Sequence, residues 1–173
     1  NQALYGRSGE CPLVVVSALS PTDCFKMAFE ASRIALEHMT PVILLTDAFI
    51  ANGSSAWRIP DNDEYPEIKP NFVTEEMKET WKPYMRNEEF VRYWAIPGTE
   101  GFEHRVGGLE KDYESGVISN NPGNHARMVA ARAQKVANVA NHIPLLEVKS
   151  ENADADTIIV GCGATSGDIY TAF

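Results

Sequence analysis

The chain has 173 residues, 44% of them hydrophobic, which is enough to bury a core and excludes disorder as the default state. Asp and Glu number 24 against 15 Lys and Arg, so the net charge of -9 disfavours nucleic acid or an anionic membrane surface as a partner. Cys11, Cys24 and Cys162 follow no metal or disulfide spacing, so we expect them to be reduced, cytoplasmic and mostly buried.

A strand–helix–strand unit is predicted at the start of the chain. Residues 13–18 form a valine-rich run typical of a strand buried on both faces. Ser20 as N-cap and Pro21 at the first helical position predict a helix that continues to about Met39. Residues 42–45 predict the next strand, and the succession indicates a parallel sheet of an α/β fold.

The later elements are separated by a long irregular stretch. Residues 60–97 combine prolines and charges with aromatic side chains, which predicts an extended connector packed along a surface. A glycine-rich, hairpin-like segment is predicted over 98–116, and apolar periodicity predicts a helix over 126–143. Residues 157–160 predict another buried strand, followed by a glycine turn and an opening helix.

The glycine turn is the first candidate for binding chemistry. Gly161, Gly163 and Gly167 depart by one residue from dinucleotide-binding spacing. The turn either binds a phosphate or another anion on backbone N–H groups, or it simply packs a strand closely against a helix. The four histidines lack the i, i+4 spacing of a helical metal site. No metal ligand is therefore assigned.

Two loops carry further candidate side chains. In residues 6–10, Arg7 suits the recognition of a carboxylate, although with Glu10 it also fits a surface turn with a weak ion pair. Residues 52–60 follow the second strand, where open α/β sheets place their sites. The alternative for that segment is a domain exit with Trp57 as a packing anchor.

A series of short motifs extends along nearly the whole chain and resembles one family. The motifs lie at residues 2–10, 20–25, 40–47, 52–60, 97–101, 103–111 and 124–125. In this order they are similar to those of the α subunits of 2-oxoacid:ferredoxin oxidoreductases, especially the 2-oxoglutarate type. The resemblance implies two partial three-layer α/β domains, each with part of a parallel sheet.

The resemblance also implies a division of the chain into three parts. Residues 1–60 would be the C-terminal part of a pyrimidine-binding thiamine domain, and residues 61–145 would be a connector. Residues 146–173 would begin a domain like the C-terminal domain of transketolases. Cys162 stands where the resemblance leads us to expect a larger residue such as tryptophan.

The chemistry that the resemblance implies is the oxidative decarboxylation of a 2-oxoacid to an acyl-CoA. Thiamine diphosphate and Mg²⁺ would lie between this subunit and a β subunit that carries an iron–sulfur cluster, with ferredoxin as electron acceptor and coenzyme A as acyl acceptor. The leading substrate is 2-oxoglutarate, and pyruvate or a branched-chain 2-oxoacid remains open. So does a non-catalytic α/β module that binds a nucleotide or another anion.

The family's cofactor and substrate signatures, a Tyr-Pro-Ile-Thr-Pro segment and an arginine-containing glycine-rich loop, do not occur in this sequence. We therefore expect part of a longer subunit that is inactive alone and acts in a cytoplasmic hetero-oligomer of an anaerobe, with a homodimer as an open alternative for this part by itself. No catalytic residue is assigned. The candidates for lining the site or the subunit interface are Arg7, Glu10, Asn52 and Arg58.

Overall fold

The computed structural model describes residues 1–150, 152 and 154–172. Two short strands and five helices make up its regular structure, with single turns of 3-10 helix between them. The strands are β1 (Val14–Ser17) and β2 (Val42–Leu45), and the helices are α1 (Gln2–Tyr5), α2 (Asp23–Glu37), α3 (Ala48–Asn52), α4 (Pro122–Asn138) and α5 (Thr165–Ala172). The 3-10 turns are Asn62–Glu64, Glu75–Met77 and Val139–His142.

The predicted strand–helix–strand unit is confirmed. Strands β1 and β2 are parallel, with Val14 opposite Val42 at one end and Ser17 opposite Leu45 at the other. Helix α2 packs on both strands and buries Ile34, which is 2% exposed. Parallel strands require a crossover connection of this kind, so the apolar face of α2 covers one side of the pair. The strands themselves are half-buried, less than predicted.

Helix α2 begins at Asp23, two residues after the predicted start. The predicted cap nevertheless forms its bond, because Ser20 Oγ accepts a hydrogen bond from the Asp23 N–H at 3.2 Å. Asp23 in turn accepts a bond from the Leu19 N–H at 3.0 Å through its carboxylate. The two bonds stabilise an irregular turn over residues 20–22 that precedes the regular helix.

Distant side chains satisfy carbonyl groups at the end of α2. The indole Nε1 of Trp94 donates to the Leu36 carbonyl at 2.9 Å, and Lys135 Nζ donates to the Met39 carbonyl at 2.6 Å. The last carbonyls of a helix have no partner within the helix, so these bonds add to the backbone C-capping, in which the His38 and Thr40 N–H groups donate to the Ile34 and Ala35 carbonyls. They also fix the connector and α4 against α2, which confirms that the connector packs along a surface.

The connector is irregular, as predicted, but its hairpin lies further along the chain than expected. Instead of spanning 98–116, the hairpin pairs residues 110–112 with 117–119, where the Asp112 N–H donates to the Val117 carbonyl at 2.7 Å. The carboxylate of Asp112 accepts hydrogen bonds within the turn, including one from the Ser115 N–H at 2.9 Å, and Gly116 adopts a positive φ of 73°. These local bonds place the turn at 113–116.

Helix α4 begins at Pro122, four residues before the predicted start. Asn121 is its N-cap and accepts a hydrogen bond from the Asn124 N–H at 2.9 Å through its side chain. Proline is favoured at the first helical position because its missing N–H would have no partner there. The helix buries Met128 and Ala131 and continues as a 3-10 turn through His142.

The predicted strand at 157–160 was wrong. These residues have no regular structure, and Ile158 and Val160 are 71% and 86% exposed. A strand requires a hydrogen-bonding neighbour, and among the residues described here the only sheet is the β1–β2 pair. Within residues 154–172 no second sheet is formed, whereas the predicted opening helix is confirmed as α5.

Candidate functional site

A single carboxylate connects the carboxyl edge of the sheet with the glycine turn. Asp47, just after β2, accepts a hydrogen bond from the Ile50 N–H at 2.8 Å and thereby caps α3. Its other oxygen accepts a bond from the Ala164 N–H, also at 2.8 Å. These two backbone donors lower the pKa of Asp47. The carboxyl edge and the turn before α5 thus meet at one negative charge.

The glycine turn binds an anion that belongs to the same chain. Gly163 has a φ of 65°, and a Cβ atom at this position would lie 3.1 Å from an oxygen of Asp47. Glycine is required here both for the backbone conformation and for the close approach of the carboxylate. The Ala164 N–H is consequently engaged by Asp47, which argues against the turn as an open phosphate site.

An aromatic groove lies beside this edge, between the start of α2 and the segment after α3. Its volume is about 540 Å³, and its walls include Pro21, Phe25, Gly53 and Trp57. The rings of Phe25 and Trp57 are 5.2 Å apart at 46°, an inclined arrangement typical of aromatic packing. Trp57 remains 47% exposed, so it anchors the segment while leaving one surface of the groove open.

Asn52 and Arg58, the two candidates that follow β2, make local bonds. The side-chain amide of Asn52 donates to the Ala48 carbonyl at 2.8 Å, within α3. Arg58 pairs with Glu64 at 2.6 Å, and the side chain of the arginine is 67% exposed. Both residues follow β2 in the sequence, but the Nδ2 group of Asn52 and the guanidinium of Arg58 are engaged by neighbouring residues.

Arg7 and Glu10 do not form the ion pair that a surface turn would give. The guanidinium of Arg7 donates to the carbonyls of Ala3, Leu4 and Cys11, so it holds the turn between α1 and β1. Glu10 instead pairs with Arg132 of α4. The two residues precede β1, whereas Asn52 and Arg58 follow β2, and among the described residues no hydrogen bond joins one pair to the other.

Sequence reasoning missed Asp47 and a group of basic residues between the connector and α4. Asp47 carried a readable signal, because an aspartate directly before a short apolar segment is a common helix N-cap. The basic residues include Arg86 and Arg92, which lie directly opposite each other in an antiparallel bridge. Their spacing of six residues places them on no common helix face, and a hairpin was not indicated because the position that needs a positive φ holds the bulky Phe90 instead of Gly or Asn.

The comparisons with known proteins agree with the resemblance inferred from the motifs. Residues 1–121, more than two thirds of the chain, match the family described as "Pyruvate flavodoxin/ferredoxin oxidoreductase, thiamine diP-bdg". The chain belongs to this family. The match supports a thiamine diphosphate-binding α/β fold, and the β1–β2 pair with α2 is the part of that fold seen here.

Relatives within the family carry closely related names. The chain is 49% identical over 172 residues to "2-oxoglutarate oxidoreductase subunit KorA" of Mycobacterium tuberculosis, covering 99% of this chain and 26% of the relative. It is 26% identical to "2-oxoglutarate synthase subunit KorA" of Methanothermobacter marburgensis, covering 99% of this chain and 44% of that protein. The chain thus spans about a quarter to under half of the length of these relatives.

A solved structure of the same family has a similar fold. The 2-oxoglutarate:ferredoxin oxidoreductase from Magnetococcus marinus, solved with 2-oxoglutarate, coenzyme A and succinyl-CoA bound, superposes with a TM-score of 0.87. The sequence identity is 27%, and the match covers 99% of this chain and 29% of that one. The irregular connector is included in this coverage, so the similarity to that enzyme extends beyond the β1–β2 unit.

The carboxyl edge does not by itself fit the diphosphate of the family's cofactor. A diphosphate requires cations or free N–H donors, but Arg58 is the one basic residue within 46–60 and is paired with Glu64. Asp47 adds a negative charge at the same edge. The family's cofactor would therefore need phosphate ligands from outside these segments.

The cysteines and the remaining polar groups add little chemistry to the site. Cys11 and Cys162 are exposed and Cys24 is half-buried, so the prediction that the cysteines are mostly buried was wrong, because Cys11 and Cys162 lie in irregular segments. Within the described ranges, no group of three or more His, Cys, Asp or Glu side chains is placed to hold a metal ion. No helix among those residues has both the length and the apolar character needed to cross a membrane.

Proposed function

We propose that this chain forms part of the α subunit of a 2-oxoglutarate:ferredoxin oxidoreductase, which converts 2-oxoglutarate to an acyl-CoA and transfers the electrons to ferredoxin. The observation that carries the proposal is 49% identity over 172 residues to a 2-oxoglutarate oxidoreductase subunit. The superposition on an enzyme solved with 2-oxoglutarate and coenzyme A supports it. Pyruvate and branched-chain 2-oxoacids are the competing substrates.

In this proposal the chain provides part of the structural support for the active site, and segments outside it provide the groups that bind the cofactor and the substrate. Residues 1–60 form the end of the pyrimidine-binding domain, 61–145 the connector, and 146–173 the beginning of the next domain. The unsuitability of the carboxyl edge for a diphosphate supports this division, because a β subunit would then hold the diphosphate with Mg²⁺. The same β subunit would carry the iron–sulfur cluster.

The exposed apolar side chains support a hetero-oligomer. Leu145 and Leu146 are 91% and 95% exposed, and Ile158 and Val160 are similarly accessible. Apolar side chains exposed in adjacent segments are typical of surfaces that contact other segments or subunits. We place Arg7, Glu10, Asn52 and Arg58 at or near such contacts, and the free cysteines are compatible with the proposed cytoplasmic location.

Cofactor binding tests whether the groups that hold thiamine diphosphate lie outside this chain. Isothermal titration of the 173-residue chain should show that thiamine diphosphate with Mg²⁺ binds no more tightly than pyrophosphate with Mg²⁺, because the groups that hold the thiamine rings lie outside this chain. The same titration should give tight binding when the full reading frame that contains the chain is produced with its β subunit. Binding of thiamine diphosphate by the isolated chain that is much tighter than binding of pyrophosphate would contradict the proposal.

Turnover by that complex tests the substrate. Reduction of ferredoxin or of a viologen dye should require both coenzyme A and a 2-oxoacid, and 2-oxoglutarate should give the highest kcat/KM. Pyruvate and 2-oxoisovalerate are the matched comparisons, because they share the 2-oxo group and differ in the side chain. A higher kcat/KM for either would replace 2-oxoglutarate as the substrate, and a complex inactive with all three would contradict the enzyme assignment.

A further inference from the structure

A basic cavity lies between the connector and α4, away from the carboxyl edge of the sheet. Its volume is about 450 Å³, within the range of small-molecule sites in proteins. The connector contributes residues 84–92 and 107–111 to its walls, and α4 contributes residues 128–135. The basic side chains that line it are Arg86, Arg92, Lys111, Arg132 and Lys135, and the lining includes one carboxylate, that of Glu110.

Most of these cations contact backbone carbonyls instead of carboxylates. Arg86 donates to the Tyr84 carbonyl at 2.9 Å, and Lys135 donates to the Met39 carbonyl at 2.6 Å. A carbonyl satisfies the N–H donors but leaves the positive charge uncompensated. Arg132 differs, because it pairs with Glu10 and also lies 3.7 Å from Glu110. The cavity therefore retains an excess of positive charge.

Two of the arginines are held directly opposite each other. Arg86 and Arg92 are partners in an antiparallel bridge, which places their side chains on the same face of the pair. Like charges at opposite positions are destabilising. The turn between them requires a φ of 62° at Phe90, a conformation that a bulky residue rarely adopts. The chain thus maintains an unfavourable arrangement of both charge and backbone here.

Burial lowers the pKa of three basic side chains in the cluster. Burial first, and then the charges of Arg92, Arg86 and Arg132, together lower the pKa of Lys135 to about 8. Burial also lowers the pKa of both Arg86 and Arg92. A cluster of buried and half-buried cations with fewer carboxylates than cations beside it is a preorganised site for a negatively charged ligand.

We propose that this cavity binds a small molecule through a phosphate or diphosphate group held between Arg86 and Arg92, with Lys135 on the opposite wall. A guanidinium binds phosphate oxygens with two parallel N–H donors, and two facing guanidiniums complement a tetrahedral anion. A phosphate carries close to two negative charges at neutral pH, and a diphosphate carries more, so either balances the cluster better than one carboxylate. The inference does not depend on the proposed 2-oxoacid chemistry.

Pyrophosphate is the probe for the test. Isothermal titration of the full 173-residue chain at low salt should give one bound pyrophosphate per chain, with affinity that falls as salt is raised. Lys135→Met should weaken binding by at least about tenfold, because a charge-assisted hydrogen bond is lost. Arg92→Gln should do the same. Lys26→Met, on the exposed surface of α2, is the matched control and should bind as the unmodified chain does.

Two further ligands define the class. ADP distinguishes the diphosphate of a nucleotide from the free anion, and binding of either one at this cavity supports the proposal. Succinate carries two negative charges without phosphate oxygens. Equal affinity for succinate and pyrophosphate would overturn the assignment to phosphate, and so would pyrophosphate binding that is unchanged in both Lys135→Met and Arg92→Gln.

Discussion

Replacing Lys135 by methionine should stabilise the protein at neutral pH in the absence of any anion. Methionine has a similar length and fills the same space without a charge. The folded state keeps the lysine ammonium half-buried beside Arg86, Arg92 and Arg132, and burial lowers its pKa from the ordinary 10.5 to about 8. The charged form is therefore less stable in the folded protein than in the unfolded chain.

The magnitude follows from this pKa and from one hydrogen bond. A tenfold change in a proton-binding constant corresponds to about 1.4 kcal/mol, so a pKa lowered from 10.5 to about 8 costs the folded state about 3 kcal/mol at pH 7. The variant also loses the bond from Nζ to the Met39 carbonyl, which costs about 1.5 to 3 kcal/mol for a charged donor. The expected net gain is up to about 1.5 kcal/mol.

The stability advantage of Lys135→Met should decrease as the pH rises. Between about pH 8 and 10.5 the unfolded chain keeps the proton on Lys135 while the folded protein has lost it. Because the unfolded state then binds more protons, the free energy of unfolding of the unmodified chain rises with pH across this window. The advantage of Lys135→Met should be greatest below pH 8 and should disappear, or reverse, as the pH approaches 10.5.

Urea denaturation followed by circular dichroism measures these free energies. The titrations should be run on the unmodified chain, Lys135→Met and the exposed control Lys26→Met at several pH values from 7 to 10. The control should show no advantage that changes with pH. The reasoning would be refuted if the difference between Lys135→Met and the unmodified chain stayed constant across this range.

Three further predictions concern the core, the hairpin and a buried histidine. Ile34→Ala should lower the free energy of unfolding by about 2 to 5 kcal/mol, because it leaves a cavity beneath α2; the same change at Ile96, which is 57% exposed, should cost far less in the same urea titration. The side chain of Asn124 accepts a hydrogen bond from the Tyr113 N–H at 2.9 Å and donates one to the Lys111 carbonyl at 2.7 Å. Asn124→Ala should therefore lower the free energy of unfolding by about 1 to 3 kcal/mol and speed amide hydrogen exchange in the hairpin. Asn120→Ala, at an exposed position, should have neither effect. Burial, followed by the nearby His142, lowers the pKa of His38 below 6.5, so the unfolded state takes up the proton first and stability should fall as the pH drops below 6.5. The decrease between pH 7.5 and 5.5 should be smaller in His38→Leu, and an equal decrease would contradict this explanation.

Local patterns predicted the parts of the fold that are stabilised locally. The strands at 14–17 and 42–45 and the helix between them follow from valine-rich runs and helical periodicity. The run at 157–160 has the same apolar character but no strand beside it among the described residues, so composition alone gave the wrong structure there. Whether an apolar run forms a strand depends on a neighbour that the run itself does not encode.

The candidate site was less predictable because its contacts connect distant residues. Glu10 pairs with Arg132, which lies 122 residues away, and nothing near Glu10 in the sequence indicates that partner. Arg86 and Arg92 face each other only because the turn between them includes Phe90 at a positive φ. Local preferences disfavour that conformation, so a reading based on them does not bring the two arginines together.

The bonds at the end of α2 also determine when this helix can be completed. The Leu36 carbonyl accepts its side-chain hydrogen bond from Trp94, 58 residues away. The Met39 carbonyl, just beyond the helix, accepts one from Lys135, 96 residues away. Contacts of such large sequence separation form late in folding. The first strand–helix–strand unit therefore lacks these two hydrogen bonds until the connector and α4 have packed against it. The amides in the last turn of α2 should then be among the final ones to gain protection from hydrogen exchange during refolding.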